Sequence, residues 1–137
     1  MRTRDPEETT PERLRSLLRG EMSAAETYER ALERASGSPA RARLREICAD
    51  HSQAVGLLRD LLIRYPGELP TNSGAADVPC ETVALTTLKQ AEEHGIRGYE
   101  QVLRDPEVAE DAKAMSRSLL DRCRSHVPVL DELIDHE

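Results

Sequence analysis

Two copies of one short pattern could do metal chemistry: Cys48-Ala-Asp-His51 and Cys123-Arg-Ser-His126. In both, the Cys and the His are three residues apart, which on a helix sets the two side chains on one face, one turn apart. Thiolates and imidazoles are metal donors. Two such pairs facing one another between helices supply half of a site, and the other half calls for carboxylates. Glu21 and Glu92 provide them, because each stands in an otherwise apolar stripe. A charged group in a core seam is unfavourable unless something pairs with it. The candidate ligands are therefore Glu21, His51, Glu92 and His126, with Cys48 and Cys123 as additional ones. The alternative is metal-free: each Glu hydrogen-bonds the facing His, and the polar layer fixes the register of the helices. Cys48 and Cys123 could also pair as a disulfide, against which a reducing cytosol argues.

Nucleophilic catalysis has little support. The chain has no Gly-x-Ser-x-Gly elbow and no phosphate-cradling glycine loop. A Cys–His pair on one helix face lacks an oxyanion hole and an orienting third group. No catalytic residue is assigned.

The elements that must position these residues are helices. Thr10-Pro11 reads as a capping hydroxyl followed by Pro at the first helical position, and residues 1–9 as a flexible arm. Leu14, Leu18, Glu21, Ala25, Tyr28 and Leu32 then step by three or four, the stripe of a bundle helix. Ser38-Pro39 opens a second helix carrying Leu44, Ile47, Cys48, His51, Val55, Leu58 and Leu62. Glu21 lies sixteen residues before Gly37 and His51 fourteen after it, so a tight antiparallel turn brings them to one height. Residues 66–79, rich in Pro, Gly, Asn and Ala, read as a crossover loop running the length of the bundle. A third stripe follows: Leu85, Leu88, Glu92, Ile96, Tyr99 and Leu103. The fourth holds Ala112, Met115, Leu119, Cys123, His126, Leu130 and Leu133, with Pro128 inside it. The spacing predicts helices over 11–36, 39–65, 80–104 and 107–136. A turn at Asp105-Pro106 would set His126 opposite Leu85, so the heights favour a later start for the fourth helix. Asp50 and Glu26, off the stripes, are expected at the surface, as are Glu93 and His94. Tyr28 and Tyr99 are expected in the core with their hydroxyls reaching a carboxylate or water.

The four helices are two copies of one hairpin. A shift of 71 lays Leu14, Leu17, Glu21, Tyr28, Glu29 and Leu32 on Leu85, Leu88, Glu92, Tyr99, Glu100 and Leu103. A shift of 75 lays Leu44, Cys48, His51 and Leu58 on Leu119, Cys123, His126 and Leu133. A pseudo-twofold axis relating the hairpins follows.

Composition narrows the partners. The chain has 137 residues, enough for one domain with a real core, and a formal net charge of -7. That balance argues against nucleic acid and anionic membranes. With three Tyr and no Phe or Trp, the core must be aliphatic. No apolar run reaches the length of a membrane span, and three Cys form no disulfide framework. The expected location is the cytoplasm.

Taken together, these residues resemble the ferritin-like superfamily, and within it the rubrerythrin-related bacterial domains. The segment Gly20-Glu21-Met22-Ser23-Ala24-Ala25-Glu26-Thr27-Tyr28 is similar to the first helix of rubrerythrin, including a Tyr seven residues after the Glu. The resemblance implies an all-α, ferritin-like antiparallel four-helix bundle with a dimetal site. In that superfamily Glu comes from two helices and Glu-x-x-His from the other two. This chain departs by carrying Cys48 and Cys123 where the motif has Glu, and by lacking a rubredoxin-like Cys-x-x-Cys module. Ferroxidase or peroxidase activity is therefore not carried over. The expectation is a divalent metal, iron or zinc, held between the helices, in metal handling or oxidative stress. The alternative is a metal-free helical interaction module that self-associates, for which a homodimer is the simplest form.

Overall fold

The computed structural model describes residues 6–34, 39–73 and 84–136. Four helices and no strand occur among them: α1 (Pro6–Arg34), α2 (Ala40–Leu62), α3 (Leu85–Arg104) and α4 (Glu110–Asp135). The fold is an all-helical four-helix bundle, as the stripes require.

Four boundaries differ by three residues or more from the sequence reading, the start of the third helix among them: α3 begins at Leu85 rather than 80, because Ala84 before it has extended backbone. The first helix starts at Pro6, so residues 6–9 of the expected arm are helical and Pro11 lies inside α1; residues 1–5 lie outside the described residues. Pro6 takes the first helical position, where its missing N–H costs nothing. Thr10 does not cap its own helix. It is fully buried, and its Oγ1 accepts the backbone N–H of Ala109, at 2.9 Å. Ala109 is the residue that opens α4, so the hydroxyl satisfies an amide the α4 backbone leaves unpaired. Thr10→Val keeps the shape and removes the acceptor; the expected loss is about 1 kcal/mol in a urea unfolding curve.

At the end of α2 the last turn tightens, with Arg64 N–H bonding Leu61 O and Tyr65 N–H bonding Leu62 O, and Pro66 then offers no donor. The α4 helix starts late, after a turn in which Asp105 Oδ1 accepts the Glu107 N–H at 2.9 Å. That later start brings His126 level with Glu92, as the height comparison required. The expected end of the first helix at Ser36-Gly37, residues 74–79 of the crossover loop, and Cys80 at the start of the third helix lie outside the described residues.

Polar pairs give the helix directions. Glu21 faces His51 and Leu32 O accepts from Arg41, so α1 and α2 are antiparallel. Arg13 meets Asp105 and Tyr28 meets Glu92, so α1 and α3 are antiparallel. The pairs Asp50–His126 and Arg43–Glu132 set α2 against α4 in the same sense.

The apolar core is split in two. One cluster holds Leu14, Leu18, Leu58, Leu62, Leu119 and Leu120; the other holds Tyr28, Leu44, Ile47, Leu88 and Leu130. Each fully buried leucine contributes about 1.5–3 kcal/mol. Glu21, His51, Glu92 and His126 occupy levels between the two groups of leucines.

Candidate metal centre

All four of these polar residues are buried, between 2% and 5% exposed. Ionisable groups are excluded from a core unless partnered, and here the partners form one continuous chain. His51 Nδ1 lies 2.6 Å from Glu21 Oε2, and its Nε2 lies 2.6 Å from Glu92 Oε1. His126 Nδ1 lies 3.2 Å from both oxygens of Glu92, and its Nε2 lies 2.8 Å from Asp50 Oδ2. The tyrosines cross over between hairpins: Tyr28 donates to Glu92 at 2.8 Å and Tyr99 to Glu21 at 2.6 Å. The two bonds pair residues that match in the sequence repeat, since Tyr28 and Glu21 align with Tyr99 and Glu92. The Tyr28 ring also stacks on His51, with centroids 5.3 Å apart.

The electrostatics follow from the donor count. Both nitrogens of each imidazole face carboxylate oxygens, which only accept, so each ring satisfies its neighbours best as the doubly protonated cation. Burial opposes that charge on His51, but the Glu21 and Glu92 carboxylates override it and raise its pKa to about 10. His126 is shifted up by the same contest, burial against Glu92 and Asp50. Burial alone would raise Glu92, yet hydrogen bonds from His126 and His51 hold it down at about 2.

Three donors converge. One ligand atom from each of His51, Glu92 and His126 lies within 4.8 Å of the others, the group among the described residues that could hold a metal ion. The sequence-predicted residues therefore divide. His51, Glu92 and His126, from α2, α3 and α4, come together. Glu21 is one hydrogen bond away, on His51. Cys48 does not face the cluster: its thiol lies 3.8 Å from the Ala25 carbonyl oxygen of α1. Cys123 is buried beside Glu92, and burial, then the Glu21 and Glu92 charges, push its thiol pKa well up, so it sits there as a neutral group. Both are free thiols.

Glu93 and His94 are exposed, as expected. Asp50 corrects the sequence reading. Its side chain is 43% exposed, but it reaches across from α2 to hold His126 Nε2. A carboxylate on the far nitrogen of an imidazole fixes the ring's orientation and tautomer for a metal on the near one. Its repeat equivalent, Ser125, is exposed and bonds the Arg122 carbonyl instead. His51 accordingly has no matching partner on α4, and both of its nitrogens turn to Glu21 and Glu92. The available signal was the acidic residue directly before His51, on the side of α2 that faces α4.

No family model matches the chain, and neither the curated proteins nor the solved structures yield a match.

Proposed function

We propose that this chain is a ferritin-like bundle that binds a divalent metal ion, iron or zinc, between its helices, and that it serves metal handling or the response to oxidative stress. The observation that carries this reading is the convergence of His51, Glu92 and His126 from three helices. Two imidazoles and a carboxylate suit zinc and iron alike. Iron would make the role a redox or handling one. His126 is already oriented by Asp50 as a metal-bound imidazole is. The ferritin-like topology draws support from the helix directions. With α2 and α3 both antiparallel to α1, the chain between them has to return along the bundle. Its described part does climb: Arg15 bonds the carbonyls of Pro66 and Glu68, and Ser73 bonds Glu26. Over eleven residues of α1 that is about 16 Å.

One observation favours the second reading, a metal-free interaction module. Each ring nitrogen of His51 and His126 already has a carboxylate partner, so the layer is satisfied by protons alone. Elemental analysis by inductively coupled plasma mass spectrometry separates the two, run on the untagged protein beside a His51→Ala/His126→Ala variant. Stoichiometric iron or zinc, lost in the variant, is expected. Below about a tenth of an equivalent after reconstitution under reducing conditions, the metal-free layer stands and self-association becomes the question.

Asp50 gives a finer test. Asp50→Ala is expected to weaken metal affinity by about 10–100-fold in competition with a chromophoric chelator. Because the side chain is half exposed, its loss should leave the metal-free protein folded.

A further inference from the structure

A cleft of about 460 Å³ opens between α1 and α3 and reaches the buried layer. Its floor is formed by Glu21, His51 and Glu92, and the exposed Arg19 stands among its lining residues. Its size falls in the range of small-molecule sites, which combine apolar walls with a few convergent polar groups. The walls include Leu17, Ala24 and Ala91, together with three glycines, Gly20, Gly95 and Gly98, inside the two helices. Glycine weakens a helix interior. It is needed where another atom comes too close for a Cβ, and that is not the case here. Among the described residues a Cβ on Gly20 would meet nothing within 4 Å, one on Gly98 only ordinary contact with Leu17, and one on Gly95 only the Cys123 sulfur at 4.0 Å. Among the described residues these glycines leave the cleft open down to the layer.

We infer that this cleft binds a small organic monocarboxylate with an apolar body, its carboxylate directed at the metal site and its body lying between α1 and α3. The inference rests on the metal reading above. A metal held by His51, Glu92 and His126 has three protein ligands and so keeps a position for a further oxygen donor. The cleft reaches two of those three ligands, His51 and Glu92, and Arg19 adds a positive charge along it. The apolar walls favour a short alkyl chain over a polyanion.

Cobalt(II) is the probe, because its visible bands report a change of ligand. The cobalt-loaded protein is titrated with hexanoate, with 1-hexanol as the control lacking the carboxylate. A saturable spectral change with hexanoate and none with 1-hexanol is expected. Gly98→Leu and, independently, Gly20→Leu should keep one equivalent of cobalt and its spectrum, while weakening the hexanoate response at least about tenfold, since both positions line the cleft, have room for a Cβ and are not among the proposed ligands. Cobalt bound with no hexanoate response, or with a response unchanged in both variants, overturns this inference alone. Failure to bind cobalt overturns it together with the metal reading, and the cobalt content tells the two failures apart.

Discussion

Glu92→Ala is expected to lower the unfolding free energy of the metal-free protein by about 3–5 kcal/mol, more than any other single change in the polar layer. Glu92 is the hub. It accepts from Tyr28, from His51 and, through both oxygens, from His126. Removing it leaves two imidazoles and a phenol facing a cavity in a layer closed above and below by leucines. Among the described residues Glu21 accepts from His51 and Tyr99 alone, and it lies, like Glu92, on the floor of the cleft. Glu21→Ala therefore orphans fewer donors and is expected to cost about half as much. Urea unfolding in the presence of a chelator, followed by helical circular dichroism, gives both values. Equal losses would show that the layer has no hub and that the two hairpins contribute symmetrically. The metal reading adds that Glu92→Ala also abolishes metal binding, whereas Glu21→Ala only weakens it, because Glu21 lies outside the converging group.

The internal repeat explains why so much of this site was legible. Position alone places a Glu and a Cys-x-x-His in each hairpin, and the stripe periodicity buries them. Tyr28 and Tyr99 were legible for the same reason: a phenol on a buried stripe needs an acceptor, and each finds the Glu of the other hairpin. What periodicity cannot show is where the symmetry breaks. The repeat predicts equal roles for His51 and His126, but Asp50 has no carboxylate counterpart at Ser125, and the two rings make different bonds. The cysteines illustrate the same limit. Three-residue spacing puts Cys48 on the His51 face, but a helix face is wide, and the thiol lies against the Ala25 carbonyl oxygen of α1, outside the converging group. At the N-terminus, Thr10-Pro11 has the form of a helix start. It was misleading because Pro6 has that form too, and because burying Thr10 against the start of α4 is a tertiary effect that no local pattern encodes.

The two readings of the layer respond oppositely to pH, and this gives the second large expected effect. In the metal-free protein the His51 pKa is raised, so its stabilisation is fully present below the ordinary value of 6.5 and is lost as the pH rises through about 10. The Glu92 pKa is lowered, so its stabilisation is present above the ordinary value of 4.5 and is lost as the pH falls through about 2. Chelator-treated protein should therefore melt highest between pH 4.5 and 6.5, and its Tm should decline toward alkaline pH. A metal ion must displace the protons that His51 and His126 hold toward the cluster. One divalent cation for two protons leaves the charge of the buried layer unchanged, so the exchange costs no new buried charge. Metal binding near neutral pH should then release the His51 proton, and a second from His126 wherever that ring is also charged, and affinity should rise about tenfold per pH unit for each protonated ring. Calorimetric titrations in buffers of different ionisation enthalpy count those protons directly. A count near zero would mean that the imidazoles are not the ligands, because in these surroundings they cannot bind metal without giving up a proton. With saturating metal the Tm should rise from pH 6 to 8 over the same range in which the metal-free Tm falls. Crossing slopes identify a metal site, and parallel ones a layer of protonated histidines that only holds the hairpins in register.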